Sequence, residues 1–397
     1  MSVVSRKYPE LNISDRILLS AGPTNVNPRV YKAMNTAVIG YGEAAFSPVI
    51  EGISSMLAEV FQTEKNFTMA LSATGSAGVE AGMSNLIKPG DTVIIGSYGF
   101  FCEQMAEMAR RQGANVVLVD GEWGRALPPE QIQDEIKKHK NIKLVGMVHA
   151  ETSTGISQPL EDISRIAKEH DALLVVDGVT SLGGSEILVD EWGIDYISSA
   201  SQKCLGCPPG LSPVAVSELA FQTMDRVEKD ISSWYFDLRL IANYWGPDRS
   251  YHHTVPASML YALYEGLRIV LEEGVENRFA RHQNNTAGLR AGLEALGLNV
   301  LSDEQNRLAQ ITPIAVPDGV DEGKVRQHLV NEYNTEISRG LGRFAGKVWR
   351  VGLMGESSTR ANVLHLLSAL EHILPQEGYE VAVGAGVSAA SKFWSAG

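Results

Sequence analysis

The chain of 397 residues exceeds the length at which one hydrophobic core keeps growing, so we expect a large domain with a smaller companion. Hydrophobic residues make up 44% and charged residues 20%, as in an ordinary globular protein, and a formal net charge of -13 disfavours a nucleic-acid partner, which is bound through Lys and Arg. No apolar run approaches membrane-spanning length, no secretory signal begins the chain and only three cysteines occur, so we expect a cytoplasmic protein without a membrane partner.

The first two thirds of the chain alternate short β-branched runs with longer helical patterns, which predicts an α/β fold built on a mostly parallel sheet. The predicted strands are 92–95, 115–119, 143–148 and 173–177. Between the last two, Leu160, Ile163 and Ala167 recur at helical spacing and predict a right-handed crossover helix.

A long amphipathic stretch follows Pro256 and ends at Gly274, and a helix of that length could connect two domains. From 275 the pattern mixes helices with strands predicted at 298–301, 310–316 and 347–352. We therefore predict an N-terminal arm over 1–16, a large domain over 17–274 and a small α+β domain over 275–397.

An acid and a lysine follow two neighbouring strands of the predicted sheet. Asp177 ends one strand, and Lys203 comes 26 residues later, after a second short strand. Ligands of open parallel sheets sit beyond the carboxyl ends of the strands, so both side chains could reach one crevice. A lysine there can form an imine with an aldehyde, and an aspartate can keep a pyridine nitrogen protonated. Taken singly, such a lysine is more often a surface charge and such an aspartate a helix cap.

A stretch of small residues, SATGSAG at 72–78, leads directly into a helical pattern. Small residues let backbone N–H groups approach an anion at the positive end of a helix, so this stretch could hold a phosphate. An ordinary capped helix explains the same residues equally well. The stretch matches neither the P-loop lysine pattern nor a dinucleotide fingerprint.

Several motifs occur in order along the chain: AGPTN at 21–25, HAETSTG at 149–155, VDGVTSLGG at 176–184, QKCLGCPPG at 202–210, YHHT at 251–254 and WRVGLMG at 349–355. As a set they resemble the class V aminotransferases, specifically the alanine–glyoxylate and serine–pyruvate group, from about residue 17 to 375. The resemblance implies a pyridoxal-phosphate enzyme of fold type I that works as a homodimer with shared active sites.

Carried over by position, the resemblance implies that Lys203 holds the cofactor covalently and that Asp177 pairs with its ring nitrogen. Thr152 would lie near the ring hydroxyl, and Tyr98 would stack on the ring. Arg350 would bind the substrate carboxylate through two parallel hydrogen bonds from its planar guanidinium group. The phosphate would be held by Thr74, Gly75, Ser76 and Gln202, together with Tyr251 and Thr254 from the second subunit. Val179 is also implied at the cofactor, and Gly22 and Tyr41 at the substrate.

Three other patterns invite different chemistry. Cys204 and Cys207 form a Cys-x-x-Cys pair, but zinc would need two more ligands, and the pair lies inside a matched motif. The adjacent His252 and His253 could bind a metal, but the pair belongs to the matched motif at 251–254, which favours packing or a subunit contact. The glycines from Gly384 onward mimic a dinucleotide fingerprint, yet too little chain follows to complete the fold it requires.

The implied reaction has two halves. The donor amine displaces Lys203, which then moves a proton, and a second 2-oxo acid takes the amino group, so ping-pong kinetics are expected. Cysteine desulfurases, which share the fold, need a mobile cysteine in the second domain, and no cysteine follows Cys207.

Two substrate assignments stay open. Segments such as EWG at 122–124 and VDEW at 189–192 resemble ureidoglycine–glyoxylate enzymes. Those enzymes generally carry an amide at the position of Tyr41 and an asparagine at that of Tyr251. Tyrosine brings bulk and a single hydroxyl, which favours alanine, serine or a similar small donor with glyoxylate or pyruvate as acceptor.

Overall fold

Strands and helices alternate through residue 216, after which the chain is mainly helical. The computed structural model describes residues 8–225 and 231–396. The strands of this part are β1 (Ile17–Leu18), β2 (Phe67–Leu71), β3 (Thr92–Ser97), β4 (Asn115–Asp120), β5 (Ile142–Val148), β6 (Ala150–Glu151), β7 (Ile156–Ser157), β8 (Leu173–Asp177), β9 (Tyr196–Ser198), β10 (Ser212–Val216), β11 (Ile311–Ala315), β12 (Thr335–Glu336), β13 (Ser338–Arg339) and β14 (Val348–Gly352). The α-helices are α1 (Pro28–Met34), α2 (Ser47–Phe61), α3 (Gly75–Leu86), α4 (Phe100–Arg111), α5 (Pro129–Ile136), α6 (Glu161–Glu169), α7 (Val189–Trp192), α8 (Glu218–Asp225), α9 (Leu238–Trp245), α10 (Ala257–Glu273), α11 (Val275–Ala295), α12 (Glu322–Tyr333), α13 (Arg360–Gln376) and α14 (Ala385–Ala396).

A seven-stranded sheet with the order β2-β10-β9-β8-β5-β3-β4 organises the first two thirds of the chain. Its strands run parallel except β10, which is antiparallel to both of its neighbours. The four strands predicted from the sequence and the crossover helix α6 are confirmed, as is the α/β fold. Strand β8 is buried along its whole length, as expected of a strand covered on both faces.

Helix α2 forms part of the main core although its composition would suit a membrane. The helical stretch Ala44–Phe61 is long and apolar enough to cross a bilayer, contrary to the expectation that no run approaches that length. However, Ile50, Ile53 and Leu57 are buried, and the helix packs against β2 and α10. Its apolar residues are therefore explained by the core that they fill.

A second, smaller core surrounds the antiparallel sheet β11-β14-β13 and helices α11 to α14. The predicted strands at 310–316 and 347–352 are confirmed as β11 and β14, whereas 298–301 contributes only one bridge, between Val300 and Ile314. The prediction that residue 17 opens the large domain is corrected. Strand β1 pairs with β12, and Leu19 is buried in the smaller core.

The first turns of α11 join the two cores. Buried Arg278 donates from Nε to the Gly183 carbonyl at 3.1 Å and from Nη2 to the Cys204 carbonyl at 2.7 Å. One turn later, His282 lies 2.7 Å from the Arg278 carbonyl through Nδ1 and accepts the Gly355 N–H at Nε2, 3.0 Å away. Burial lowers the pKa of His282 to about 3, which keeps the ring neutral. Helix α11 thus ties the segment around Lys203 to the segment that follows β14.

The C-terminal helix α14 packs along α11. Glu371 accepts the N–H groups of Gly384, Gly386 and Val387 at 2.8 to 3.1 Å, which fixes the start of this helix. At its other end, Trp394 donates to the Asn284 carbonyl at 3.1 Å. The segment that resembles a dinucleotide fingerprint is therefore the approach to a packed helix.

Candidate active site

The carboxyl ends of β8 and β9 open into one cavity. Of the predicted cofactor residues, it is lined by Thr74, Gly75, Ser76, Thr152, Asp177, Val179, Gln202 and Lys203. The parallel pairing of β8 with β9 places Asp177 opposite Ser198, five residues before Lys203. The sheet therefore brings the acid and the lysine together, as their spacing predicts.

Asp177 is a buried carboxylate with an incomplete set of partners. Its Oδ1 accepts the Val179 N–H at 2.8 Å, and no partner is described for Oδ2 within residues 8–225 and 231–396. Burial raises its pKa to about 7, the Val179 N–H opposes this rise, the charge of Glu151 adds to it, and that of Lys203 opposes it. A cation placed against this carboxylate would offset the cost of burying its charge.

Lys203 is held against the chain that enters the site. Its Nζ donates to the Ala21 carbonyl, and a Cβ added at Gly22 would lie 2.5 Å from Nζ. Gly22 has a φ of +113°, so both its backbone conformation and the lack of space require glycine. Burial, and next the charge of Arg350, lower the pKa of Lys203 to about 8. At that pKa about a tenth of the amine is unprotonated at pH 7, a far larger share than in an ordinary lysine.

The stretch of small residues begins a helix that points its N-terminus at the cavity. Thr74 is the N-cap of α3, in an extended conformation and without a side-chain cap. The first N–H groups of a helix have no partner within it, so those at Gly75 and Ser76 are available to an anion. A Cβ at Gly75 would approach Ala200 Cβ to 2.9 Å. The buried Oε1 of Gln202 has no hydrogen-bond partner among the described residues, so this amide is also free to bind a ligand.

The aromatic ring at the cavity is Phe101, and the prediction for Tyr98 is corrected. Tyr98 is fully buried, and its hydroxyl donates to the Val148 carbonyl at 2.5 Å and accepts the Val148 N–H at 3.0 Å. Phe101 and Gln104, one turn apart on α4, line the cavity instead. Tyr98 points into the sheet because it directly follows β3, whereas Phe101 lies in the first turn of the helix.

Arg350 lies on β14 beside the cavity. Its Nε donates to the Arg339 carbonyl at 2.9 Å, and its Nη1 donates to the Thr152 carbonyl at 3.2 Å. Burial lowers its pKa to about 10, so the guanidinium stays charged at neutral pH. These two bonds fix the plane of the guanidinium group, and within the described part of the chain Nη2 has no partner and can bind a carboxylate.

Tyr41, Tyr251 and Thr254 form a cluster away from the cavity of their own chain. The rings of Tyr41 and Tyr251 stack at 5.9 Å, the hydroxyls of Tyr41 and Thr254 are 3.3 Å apart, and Tyr251 is 66% exposed. None of the three lines the cavity described above. The single chain therefore does not unite them with the other predicted site residues.

The alternative metal and redox residues are engaged in packing. His252 and His253 share a 2.8 Å contact between their Nδ1 atoms, and their outer nitrogens meet the Trp234 carbonyl and the Ser72 hydroxyl. Burial raises the pKa of Cys204 and Cys207 to about 12, so neither thiol ionises readily. Both histidines and both thiols are thus accounted for by contacts within the chain.

Reasoning from the sequence missed Phe101, Gln104, Ala150 and Thr180, which complete the wall of the cavity. Ala150 and Thr180 lie inside motifs that the sequence analysis singled out, and their neighbours were named in their place. For Phe101 and Gln104 the available signal was their spacing of three residues, which puts them on one face of a helix.

Pyridoxal phosphate fits this cavity for reasons visible in the chain itself. A pyridinium nitrogen would supply the cation that Asp177 lacks, the N-terminus of α3 suits a phosphate, and Lys203 suits an aldehyde. Together with the sheet, these properties define a pyridoxal-phosphate-dependent enzyme of fold type I.

The chain belongs to the class V aminotransferase family, whose model (Aminotransferase class-V) matches residues 16–364. The structure of ureidoglycine–glyoxylate aminotransferase from Bacillus subtilis superposes with a TM-score of 0.95 at 40% identity, covering 98% of this chain and 100% of that one. Alanine–glyoxylate aminotransferase from Nostoc sp. gives a TM-score of 0.92 at 42% identity, covering 94% and 100%. The alanine–glyoxylate aminotransferase of Drosophila melanogaster is 37% identical over 369 residues, covering 92% and 93%.

Proposed function

We propose that this enzyme moves an amino group from a small amino acid, alanine or serine, to glyoxylate or pyruvate. The observation that carries the proposal is the stacked pair of Tyr41 and Tyr251, with the hydroxyl of Thr254 beside it. Two rings and two hydroxyls leave less room and fewer hydrogen-bonding options than two amides would, which suits a short donor side chain. Relatives named for alanine–glyoxylate and for ureidoglycine–glyoxylate transfer are similarly close, so likeness alone does not decide between them.

Each polar residue of the cavity has a distinct task in this reaction. When bound, pyridoxal phosphate supplies an aldehyde for the donor amine and a ring that accepts electrons. Asp177 keeps a proton on the ring nitrogen, and Arg350 orients the substrate through its carboxylate. Lys203, released by the donor amine, would take the proton from the donor α-carbon and deliver it to the cofactor carbon that keeps the amino group, and it would reverse this transfer in the second half-reaction. Its lowered pKa of about 8 suits both directions.

The proposal includes a homodimer in which Tyr251 and Thr254 serve the partner's cavity. It is supported by the apolar side chains that the single chain leaves uncovered, among them Tyr8, Leu11 and Ile13 in the N-terminal segment and Trp234 beside the histidine pair, each at least 62% exposed. It also includes a cytoplasmic location, which the three free, buried thiols suit. Cell fractionation tests the location.

Mixing two inactive variants tests the shared site. Lys203→Ala removes the lysine, and the double variant Tyr251→Ala/Thr254→Ala removes the proposed contribution to the partner. A mixed dimer then holds one cavity with every residue intact, so activity should return when the two proteins are unfolded and refolded together. No recovery in a mixture shown to contain mixed dimers would contradict sharing.

Half-reactions with single donors test the substrate assignment. The absorbance band of the bound cofactor should bleach faster with alanine or serine than with ureidoglycine, in the absence of any oxo acid. Tyr251→Asn should shift this ratio toward ureidoglycine by about tenfold, the effect of one hydrogen-bonded group. A wild type that already prefers ureidoglycine would contradict our ranking of the substrates.

Transfer from ureidoglycine to glyoxylate is the second candidate. The specific observation in its favour is the amide of Gln104, which lines the cavity one turn after Phe101 and could exchange hydrogen bonds with a ureido group. If this candidate is correct, Gln104→Leu should slow ureidoglycine turnover and leave alanine turnover within about twofold, since only a polar side chain needs the amide.

A further inference from the structure

A fully buried carboxylate caps the helix that carries the cavity's aromatic ring. Glu151 Oε2 accepts the N–H groups of Phe101 at 3.0 Å and Cys102 at 3.2 Å, in the first turn of α4. Its Oε1 accepts the N–H of Ser153 at 2.9 Å and its hydroxyl at 2.6 Å. The Ser153 Oγ in turn accepts the Phe100 N–H at 2.9 Å. A distant turn of the chain therefore satisfies the N–H groups that α4 cannot satisfy itself.

Helix α4 has no cap of its own because the local position is reserved for this carboxylate. Gly99 is the N-cap and can offer no side chain. A Cβ added there would lie 2.3 Å from both Cγ and Cδ of Glu151. The glycine thus provides the space that the Glu151 side chain fills, and the helix is capped by a residue of β6 instead of by one of its own.

The partners of Glu151 favour the ionised form of its carboxylate and so oppose the rise in its pKa that burial causes. Every described hydrogen bond to its oxygens comes from a donor: three backbone N–H groups, the Ser153 hydroxyl and the Cys102 thiol. Glutamine at this position would turn an N–H₂ group toward one of these pairs of donors.

Both neighbours of this contact belong to the cofactor cavity. Phe101, whose N–H is bound by the carboxylate, lines one side, and Thr152, which directly follows Glu151, lines another. The Thr152 carbonyl also accepts from Arg350 Nη1 at 3.2 Å. We propose that Glu151 is a positioning residue that fixes the Phe101 ring against the pyridoxal-phosphate ring by capping α4. This proposal depends on pyridoxal phosphate being the cofactor, as in the proposed function, and it does not depend on which amino donor is used.

Titration of the apoenzyme with pyridoxal phosphate tests the proposal without turnover. Glu151→Gln should weaken binding by about tenfold, the effect of losing a hydrogen bond to a charged group, and should reduce the visible circular dichroism of the saturated protein. Glu103→Gln is the matched control because Glu103 is an exposed acid in the same first turn of α4. The control should bind the cofactor within about twofold of wild type, since surface charges there contribute little.

A double-mutant cycle distinguishes positioning from general damage to the fold. If Glu151 acts through the ring, Glu151→Gln should add less than about threefold to the loss already caused by Phe101→Leu. Fully additive losses, or unchanged affinity and circular dichroism in Glu151→Gln, would overturn the proposal. Should Glu151→Gln not fold, Ser153→Ala keeps the carboxylate but removes its 2.6 Å donor, and the same cycle with Phe101→Leu applies. A wild type that shows no cofactor band would instead contradict the cofactor assignment.

Discussion

Replacing Asp177 by asparagine should stabilise the apoenzyme, and it should abolish most of the activity of the enzyme with cofactor bound. Burial raises the pKa of Asp177 from 3.8 to about 7, so ionising it in the folded chain costs about 4 kcal/mol, at 1.36 kcal/mol per pKa unit. The raised pKa means that this cost grows as the pH rises through the interval from 3.8 to about 7 and is complete above it. Asparagine carries no charge and can still accept the Val179 N–H, so it avoids the cost.

Urea unfolding of the apoenzyme at fixed protein concentration measures this difference. At pH 8 Asp177→Asn should be more stable than wild type by about 4 kcal/mol, and at pH 5 by about 2 kcal/mol. Asp195→Asn is the matched control, since that buried aspartate accepts both the Leu174 N–H and the Ser217 hydroxyl at 2.9 Å. Burial also raises the pKa of Asp195, but these two hydrogen bonds oppose the rise, so Asp195→Asn should gain less stability than Asp177→Asn. Equal stability of Asp177→Asn and wild type at both pH values would refute the reasoning.

Three further substitutions test the geometry of the site. Arg350→Lys should raise KM for both substrates by about tenfold while cofactor affinity stays unchanged, because an ammonium cannot replace the planar guanidinium group. A loss of cofactor affinity as large as the rise in KM would contradict the role of Arg350 in binding the substrate carboxylate. Tyr98→Phe removes two hydrogen bonds to Val148 and should lower the free energy of unfolding by about 1 to 3 kcal/mol without weakening cofactor binding, which a binding titration checks. Gly22→Ala places a Cβ 2.5 Å from Lys203 Nζ and should abolish the covalent cofactor band, whereas a normal spectrum would show that the loop can move.

Four strands of the central sheet, β3, β4, β5 and β8, could be predicted because their signals are local. Each parallel strand of the core is a short apolar run, and the order of acid and lysine along the chain matches the two strand ends that hold them. The N-terminal strand could not be predicted in the same way. Residues 17–18 are too few to show a period, and their partners at 335–336 are more than 300 residues away.

The choice of the aromatic ring shows where sequence reasoning failed at the site. Tyr98, Phe100 and Phe101 are all candidates, and which one faces the cavity depends on where α4 begins. That start is set by Glu151, 50 residues further along the chain, and Gly99 gives no side-chain capping signal. A boundary fixed by a tertiary contact has no local pattern to read.

Hydrogen bonds from α11 fix the distance between the segment that carries Lys203 and the segment that follows Arg350. Arg278 holds the Cys204 carbonyl, next to Lys203, and three residues later Arg281 donates to the carbonyls of Gly355 and Ser358, beyond Arg350. The helix thus sets the distance between Lys203, which we propose moves the proton, and Arg350, which we propose binds the carboxylate. Both half-reactions would use the same distance between these two residues. The donor amino acid and the oxo acid that follows it must therefore both fit one spacing.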